Sequence, residues 1–444
     1  MIARAVTRLP VETGVSGWEA ISRRDFPVRA LDGDVTAEWL VIGAGFAGLS
    51  AARRLIERRP GERIVILDAQ EVARGSAGRN SGFMIDVPHN LSSGEYSPGD
   101  AAVSAREIAQ NRFAIAYAAA AAADYGMPRE TFDPCGKINA AATRRGLRLN
   151  DDFRASLARI GEAHETLDAG AMRALTGMDY YLGGVYTPGA VMIQPADYIR
   201  ALAKGVAATA RLFENSPVTA LRREGEGWAA TTPRGTARAR KVILAVNGHL
   251  QSFGFAAGRL MHVFTYASMT AAFPASEATG QATWNLLPAD PMGATLRKIT
   301  QGDRSRIVVR TRFTYDPSLT VSERRVARIA REQRASLDAR FANLADAPFE
   351  FSWAGALCLS RNHVPVFGEI EEGLYSACCE NGLGTVKSTL AGVLAVDLAT
   401  GASNPHLADF LNTPAPRRLP PEPIAWLGVN SVIRFQELRA GREQ

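Results

Sequence analysis

Cysteine, lysine and long apolar runs are all scarce in this chain of 444 residues. Its four cysteines show no metal-ligand spacing and are too few for a secreted disulfide scaffold, so we expect no metal and a reducing, cytoplasmic location. No apolar run reaches the roughly 18 residues that a membrane span requires. The N-terminal segment has Arg4 and Arg8 without an apolar core behind them, so a secretory signal is not expected either.

The positive charge of the chain, +6 at neutral pH, is spread thinly. Only five of the 51 basic residues are lysines, and no dense basic tract with interleaved aromatic side chains is present. Nucleic acid is therefore not an expected partner. The composition is otherwise globular, with 46% hydrophobic and 22% charged residues, and the length predicts about two or three domains.

A strand–turn–helix–strand pattern opens the regular part of the chain. Residues 39–42 read as a buried strand, 43–48 as a glycine turn, 49–57 as a helix and 63–68 as a second strand. Elements in this order within about 30 residues predict one βαβ unit of a parallel sheet.

The glycine turn carries a dinucleotide-binding fingerprint. Gly43 permits the tight turn, Gly45 lets the backbone approach a pyrophosphate, and Gly48 lets helix and strand pack closely. Asp68, at the end of the second strand, is placed to accept hydrogen bonds from ribose hydroxyls. The neighbouring residues expected at the same site are Phe46, Ala47 and Ala69. An aspartate here suits NAD as well as FAD, so the fingerprint alone leaves both cofactors open.

Three later segments favour FAD. Residues 73–82 combine glycines and small residues with Arg and Asn, as suits a loop that closes over a pyrophosphate and a planar ring. Residues 238–248 form a strand that leads into a glycine turn. Residues 382–385 open the last long helix, whose N-terminus suits the electron-rich end of a reduced flavin.

These four segments, in this order, resemble the D-amino acid oxidase / glycine oxidase superfamily of FAD-dependent amine oxidoreductases over nearly the whole chain. The most specific marker is residues 75–82, similar to the G-x-S-G-R-N-x-G block with one extra residue. The subgroup it most resembles is gamma-glutamylputrescine oxidase. That likeness rests on the arm at residues 25–34, on Trp353-Ala354-Gly355 followed by residues 361–365, and on the proline-containing tail at 410–438.

The resemblance implies an α/β fold with an α+β substrate part: a Rossmann-like FAD-binding domain and an interleaved antiparallel-sheet substrate domain. The FAD-binding domain would comprise residues 36–100, 190–257 and 350–402, and the substrate-binding domain residues 101–189 and 258–349. Residues 1–35 would be an irregular N-terminal arm, and residues 403–444 a C-terminal extension ending in a short amphipathic run. The sequence pattern itself predicts helices over residues 101–125, 194–214, 320–345 and 386–400.

The resemblance also implies which residues meet the cofactor. No cysteine stands where monomeric sarcosine oxidase attaches its flavin, and Cys358 is a few residues out of register, so we expect non-covalent FAD. The further cofactor-binding residues implied are Arg74, Gly75, Ser76, Gly78, Arg79, Asn80, Ser81, Gly82, Val218, Ala245, Asn247, Gly248, Gly382, Gly384, Thr385, Val386 and Lys387.

Three departures from the family indicate a different substrate. Leu357 stands where amino acid oxidases have the arginine that binds the substrate carboxylate, so a simple α-amino acid held there is not expected. Leu383 replaces the histidine of the subgroup's G-H-G motif, and residues 83–89 also differ from the subgroup.

The chemistry implied is oxidation of an amine or amino acid derivative: hydride transfer to flavin N5, imine hydrolysis, and reoxidation by O2 to H2O2. Two alternatives stay open. One is a dehydrogenase of an amine or hydroxy acid that uses another electron acceptor. The other is an accessory flavoprotein without turnover, in which the tail would be an interaction element; an oligomer is possible.

Lys387 is the candidate cation for reaction with O2, although it is as readily explained as a surface lysine. The other catalytic candidates are Asn381, Trp353 and His89. Each also has a purely structural interpretation: Asn381 as a turn-forming residue, Trp353 as a core residue, and His89 as a loop residue hydrogen-bonded within the fold. The substrate candidates are Asp86, Arg297, Arg310 and Arg312. One of the arginines could pair with a substrate carboxylate, but any single one is more often a solvated strand residue.

Overall fold

The computed structural model describes residues 4–87, 101–275, 279–344 and 347–444. The helices are α1 Gly17–Ile21, α2 Phe46–Arg58, α3 Ala101–Asp124, α4 Arg144–Arg159, α5 Ala169–Thr176, α6 Pro195–Ala207, α7 Glu323–Asp338, α8 Gly384–Thr400, α9 Leu407–Leu411 and α10 Ile424–Ala440. Short 3-10 helices occupy Ser76–Gly78, Asn247–Phe253, Ala342–Leu344 and Gly441–Glu443.

The strands alternate with helices in the first part of the chain and, among the described residues, follow one another without an intervening α-helix between α6 and α7 and between α7 and α8. They are β1 Arg4–Ala5, β2 Val35–Ile42, β3 Ile64–Leu67, β4 Phe83–Met84, β5 Phe132–Asp133, β6 Lys137–Ala141, β7 Glu165–Asp168, β8 Gly183–Thr187, β9 Val191–Ile193, β10 Arg211–Phe213, β11 Ala220–Glu224, β12 Gly227–Thr232, β13 Gly235–Leu244, β14 Leu260–Thr270, β15 Phe273–Pro274, β16 Trp284–Pro288, β17 Thr295–Gln301, β18 Arg304–Tyr315, β19 Phe349–Ser360, β20 Val366–Glu371 and β21 Leu374–Cys378.

The first sheet has a parallel centre. Its order is β1-β11-β12-β13-β2-β3-β10, with β21 beside β13 and β20 beyond it. Strands β13, β2, β3 and β10 run parallel, with Val41 opposite both Ile66 and Ile243. These side chains are fully buried, as expected for strands covered on both faces. The predicted βαβ unit is therefore the middle of this sheet.

Helices α2 and α8 cover one face of the first sheet. Helix α2 begins directly after Gly45, three residues before the predicted start at residue 49, and ends before Pro60, as the sequence predicts. Gly392 of α8 allows close contact with α2, because a Cβ there would lie 2.1 Å from the carbonyl oxygen of Ala47. The glycine turn is thus fixed between a sheet and a buried helix pair.

The second sheet is mostly antiparallel, with the order β19-β14-β18-β17-β16-β6-β8-β7 and β15 beside β18; only β16 and β6 pair in parallel. Leu296, Ile307 and Val309 on one face form a core of their own. Val308, on the opposite face, joins the large core shared with the first sheet. That opposite face is the one that meets the cofactor-binding half.

Several expectations about elements need correction. Strand β19 pairs with β14 in the second sheet. Residues 350–360, which we expected in the FAD-binding domain, therefore belong to the second sheet. The helix predicted over 194–214 ends at Ala207, because Arg211–Phe213 pairs with β3 as an edge strand. The N-terminal arm contains β1 and α1, and the amphipathic run at the end is a 17-residue helix. The domain boundaries otherwise stay a prediction.

The fold class predicted from the sequence is confirmed: helices and sheets form a mixed α/β architecture. Among the residues described, we find no helix with the length and apolar character needed to cross a membrane.

Candidate active site

One cavity of about 310 Å³ extends from the glycine turn to the second sheet. Residues from all four segments predicted to bind the cofactor line it. The predicted residues found there are Gly43, Gly45, Phe46, Ala47, Asp68, Ala69, Gly75, Ser76, Arg79, Asn80, Ser81, Val218, Ala245, Asn247, Gly248, Gly382, Gly384 and Thr385.

Each fingerprint glycine has a distinct steric role. A Cβ at Gly43, where φ is +105°, would lie 2.4 Å from the carbonyl oxygen of Ala245. A Cβ at Gly48 would lie 1.8 Å from the carbonyl oxygen of Gly43. At Gly45 the nearest atom to such a Cβ is Ala77 Cβ at 3.6 Å. Gly43 and Gly48 are therefore required by the fold, whereas Gly45 leaves free space in the cavity.

Asp68 connects the turn to the cavity. One carboxylate oxygen accepts the amide of Ala44 at 2.7 Å, and the other accepts the amide of Gln70 at 2.9 Å. Burial raises the pKa of Asp68 to about 6, although these two amides favour the charged form. Each oxygen retains a further lone pair, so the carboxylate can still accept a ribose hydroxyl.

The N-terminal arm forms part of the cavity wall, which the sequence did not indicate. Residues 8–12 line it, and Glu12 lies 3.2 Å from the buried guanidinium of Arg79. Arg79 also donates to the carbonyl oxygens of Gly14 at 2.6 Å and of Ala354 at 2.9 Å. Arg79, which lines the cavity as predicted, therefore also anchors the arm through its guanidinium.

Helix α8 presents its N-terminus to the cavity. No atom of another element lies within 4 Å of a Cβ built at Gly384, so the first turn faces open space. Thr385 donates its hydroxyl to the carbonyl oxygen of Phe83 at 2.6 Å, which ties the helix start to the loop after residue 82. The free amides at this end favour a partial negative charge nearby.

Four buried polar atoms that line the cavity have no hydrogen-bond partner among the described residues. They are Asn247 Oδ1, His249 Nδ1, Thr265 Oγ1 and Arg310 Nη1. Buried polar groups are rarely left unpaired, so atoms like these indicate a missing ligand. Two of them lie beside the first sheet and two on the second. Together with the open space at Gly45, they fit a bound FAD, which residues from both sheets would hold.

Arg310 is the charged group of this set. It lies on β18 opposite Thr295 of β17, whose hydroxyl also has no partner among the residues described. Burial lowers the pKa of Arg310 to about 10, which still leaves the guanidinium protonated at neutral pH. Its described contact is with the ring of Phe313, 5.1 Å away. A buried guanidinium without a carboxylate partner is suited to bind an anionic ligand.

The other two predicted arginines do not line the cavity, which corrects that expectation. Arg297 donates to the carbonyl oxygens of Ser81 at 2.9 Å and of Ile193 at 2.8 Å, so it supports the cofactor loop from behind. Arg312 is paired with Glu332 at 2.7 Å and with Glu437 at 3.3 Å.

Lys387 and Asn381 are likewise directed away from the cavity. Lys387 forms an ion pair at 2.9 Å with Glu107 of α3, which corrects its expected position beside the flavin. The side-chain oxygen of Asn381 accepts a hydrogen bond from the amide of Ser360 at 2.8 Å and so shapes the turn before α8, in agreement with its structural interpretation as a turn-forming residue.

Trp353 and Asp86 are also structural in their contacts. Trp353 is fully buried and donates to the carbonyl oxygen of Arg79 at 3.0 Å, beneath the cofactor loop. Asp86 is paired with Arg112 at 3.0 Å. His89 lies outside the described residues.

Four predicted cofactor residues support the site without lining it: Gly48, Gly78, Gly82 and Val386. Arg74, paired with Glu19 at 3.2 Å, does not line the cavity either.

Sequence reasoning did not identify three residues that line the cavity: Glu380, Ser388 and His249. Burial raises the pKa of Glu380 to about 7, and the Ser388 hydroxyl offsets part of that shift. Burial lowers the pKa of His249 to about 4, so this imidazole is neutral at physiological pH. An acid directly before a glycine turn and helix N-terminus is the signal that could have identified Glu380.

Cys358 lines the cavity but is poorly suited to covalent attachment. A hydrogen bond with Cys379, together with burial, raises the pKa of the Cys358 thiol well above its usual value. A thiol held in the neutral form is a weak nucleophile. This supports the expectation of non-covalent FAD, which stays a prediction.

Comparisons with known proteins give the family. Residues 38–398 match the DAO model, described as FAD dependent oxidoreductase. The chain is 24% identical to gamma-glutamylputrescine oxidoreductase of Escherichia coli, covering 90% of this chain and 92% of that one. It is also 24% identical to the probable oxidoreductase OrdL of Rhizobium meliloti, covering 89% and 90%.

A solved structure shares the fold. Glycine oxidase from Geobacillus kaustophilus superposes with a TM-score of 0.67 at 20% identity, covering 84% of this chain and 98% of that one. The resemblance seen in the sequence and the expectation of an FAD-dependent oxidoreductase are both confirmed. The chain belongs to the DAO family of FAD-dependent oxidoreductases.

Proposed function

We propose that this protein oxidises an amine or amino acid derivative at the carbon next to nitrogen, and that the substrate carries an anionic group bound by Arg310. The observation that carries the proposal is Arg310 in the cofactor cavity, whose Nη1 is buried and has no hydrogen-bond partner among the described residues. Bound FAD would supply the two-electron acceptor for the hydride and would transfer those electrons to O2, giving H2O2. The names of the glycine oxidase and gamma-glutamylputrescine oxidoreductase relatives support an amine as substrate.

Arg310 would orient the substrate through its anionic group. Leu357 of β19 lines the same cavity. It stands at the position where the amino acid oxidases that this chain resembles have the arginine that binds the substrate carboxylate. Strand β14 separates β19 from β18, so the guanidinium stands two strands away from that position. A bidentate pair with Arg310 and a hydrogen bond from Thr265 would fix the anion. A displaced anion site suits a substrate of different length from a simple α-amino acid.

Apolar side chains would keep water from the reacting end. The apolar residues that line the same cavity as Arg310 include Leu287, Val308, Leu357 and Phe264. A water-poor wall favours the neutral amine, whose carbon–hydrogen bond can then be presented for oxidation. It also strengthens the attraction between Arg310 and its anion.

Matched substrates test the proposal. An anaerobic screen would compare N-alkyl amino acids and ω-amino acids with the corresponding amines that lack the carboxylate, using loss of oxidised-flavin absorbance as readout. We expect only carboxylate-bearing amines to reduce the flavin rapidly, and H2O2 to form when air is admitted. Failure of every amine to reduce the flavin would refute the proposed reaction. Equal rates with and without the carboxylate would refute the role of Arg310.

The dehydrogenase alternative has one observation in its favour. Lys387, the cation predicted to promote reaction with O2, is paired with Glu107 outside the cavity. If substrate-reduced enzyme is not reoxidised by O2 but is reoxidised by a quinone analogue or dye, the acceptor is another electron carrier. H2O2 formed in proportion to substrate consumed supports the oxidase.

A further inference from the structure

The C-terminal helix α10 has two opposite apolar faces. One is packed on the second sheet: Ala425 is buried, and Val429 and Ile433 join the cluster around it. Glu437, on the same face, accepts the amide of Phe313 at 2.9 Å. These contacts fix the rotation of the helix, so the direction of its other face is also fixed.

The outward face carries four large apolar side chains. Ile424, Leu427, Phe435 and Leu438 are 61%, 56%, 61% and 66% exposed. At about 100° per residue, all four lie within about 40° of Ser431 around the helix axis, opposite the packed face. A soluble protein normally exposes such residues singly, and a continuous row marks an interaction surface. We call these five residues the outer row.

The outer row has the same spacing in both directions from Ser431. Leu427 and Phe435 lie four residues before and after it, and Ile424 and Leu438 lie seven before and after it. An interface across a two-fold axis must be self-complementary, because the same patch supplies both sides. Two antiparallel copies of α10 crossing at Ser431 meet this condition. Each Ile424 then packs on the partner's Leu438, and each Leu427 on the partner's Phe435.

The charges beside the outer row suit the same axis. Arg439 lies eight residues after Ser431 and Pro423 eight before it, so Arg439 falls opposite Pro423 of the partner subunit. Arg434 falls opposite the partner's Gly428, which has no side chain to clash. The two arginines beside the outer row therefore face uncharged residues of the partner, and like charges do not meet across the axis. We propose that the protein forms a two-fold symmetric dimer through the outer row of α10, with Ser431 on the axis.

A symmetric crosslink tests the position of the axis. In Ser431→Cys, two thiols are oxidised to one disulfide by diamide, which takes up the two electrons and two protons. Facing Cα atoms of tightly packed helices fall within the roughly 4–7 Å that a disulfide requires. We expect a covalent dimer on a non-reducing gel that dithiothreitol removes. Ser403→Cys, at an exposed loop position, is the matched control and should stay uncrosslinked.

A charge in the outer row tests the interface itself. Light scattering of the FAD-bound protein should give a dimer mass that Leu427→Asp converts to a monomer mass. Leu411→Asp, at another exposed leucine of the C-terminal extension, should remain dimeric. FAD content and circular dichroism show whether each variant is folded, and the crosslink does not depend on Leu427→Asp folding.

Three results would overturn the proposal. The first is a wild-type protein that is monomeric at every concentration tested. The second is a dimer that survives Leu427→Asp while Ser431→Cys stays uncrosslinked. The third is a monomer that sediments with phosphatidylglycerol vesicles through the outer row, which would assign the surface to a membrane.

Discussion

Replacement of Arg310 by Met is the perturbation that tests the site most directly. Met conserves much of the apolar stem but removes the charge. A hydrogen bond to a charged group contributes about 1.5–3 kcal/mol. An anion left unpaired in a buried site raises the loss to about 2–5 kcal/mol. For a carboxylate-bearing substrate, kcat/KM should therefore fall roughly 30- to 4,000-fold, since about 1.4 kcal/mol corresponds to a factor of ten.

Anaerobic stopped-flow reduction separates binding from the chemical step. For Arg310→Met we expect weaker binding of the carboxylate-bearing amine and slower flavin reduction, because orientation is lost as well as affinity. Arg310→Lys should recover part of the affinity, since a point charge replaces a bidentate fork. Arg312→Met is the matched control on the same strand. It removes the pair with Glu437 and should lower stability without changing the kinetics.

The carboxylate-free analogue provides the decisive comparison. Arg310→Met should leave its turnover unchanged or improve it, because the variant no longer buries an unpaired charge. Equal losses for both substrates would show that Arg310 acts through the fold of the cavity, and would refute anion binding by this residue.

Three further predictions concern the cofactor, the C-terminus and pH. Gly45→Val should lose FAD colour yet keep its circular dichroism, whereas Gly48→Val should lose both. Glu443→Ala removes three hydrogen bonds, from the amides of residues 142 and 143 and from a threonine hydroxyl, and should lower the free energy of unfolding by about 2–4 kcal/mol in denaturant titrations. The folded pKa of Glu380, about 7, lies above the unfolded value of 4.5, so this carboxyl should lower apoprotein stability by up to about 3 kcal/mol as the pH rises from 4.5 to 7. Glu380→Gln should remove this contribution from the free energy of unfolding measured across that range, while the contributions of other groups such as Asp68 remain. A difference in stability between the two proteins that does not change with pH would contradict the assignment.

The fingerprint was predictable because its physics is local. Gly48 is required by a contact with Gly43, five residues earlier, and Asp68 bonds to Ala44 of the same βαβ unit. The role of Arg79 was not predictable in the same way. Its partners Glu12 and Ala354 are 67 and 275 residues away in sequence, and only the folded chain brings them together.

The three substrate-side arginines show why strand patterns were insufficient. Arg310 and Arg312 are two residues apart, and ideal alternation would place both on one face. The register of β18 against β14 shifts at Thr265, and Arg312 is the extra residue, with φ at +60°. This bulge turns Arg312 out of the face that Arg310 occupies, towards Glu437. The sequence identified the strand but not the irregularity that decides which arginine can bind the substrate.

Lys387 was misplaced because the prediction fixed the helix but not its rotation. Helix α8 begins at Gly384, and its cavity face contains Gly384, Thr385 and Ser388. At about 100° per residue, Lys387 lies about 110° from the middle of that face and points towards α3 instead. Ser388, one turn after the helix start, is the residue this periodicity selects, and its hydroxyl meets Glu380. The titratable side chain that lines this end of the cavity is therefore Glu380, whose pKa burial raises to about 7, and not Lys387.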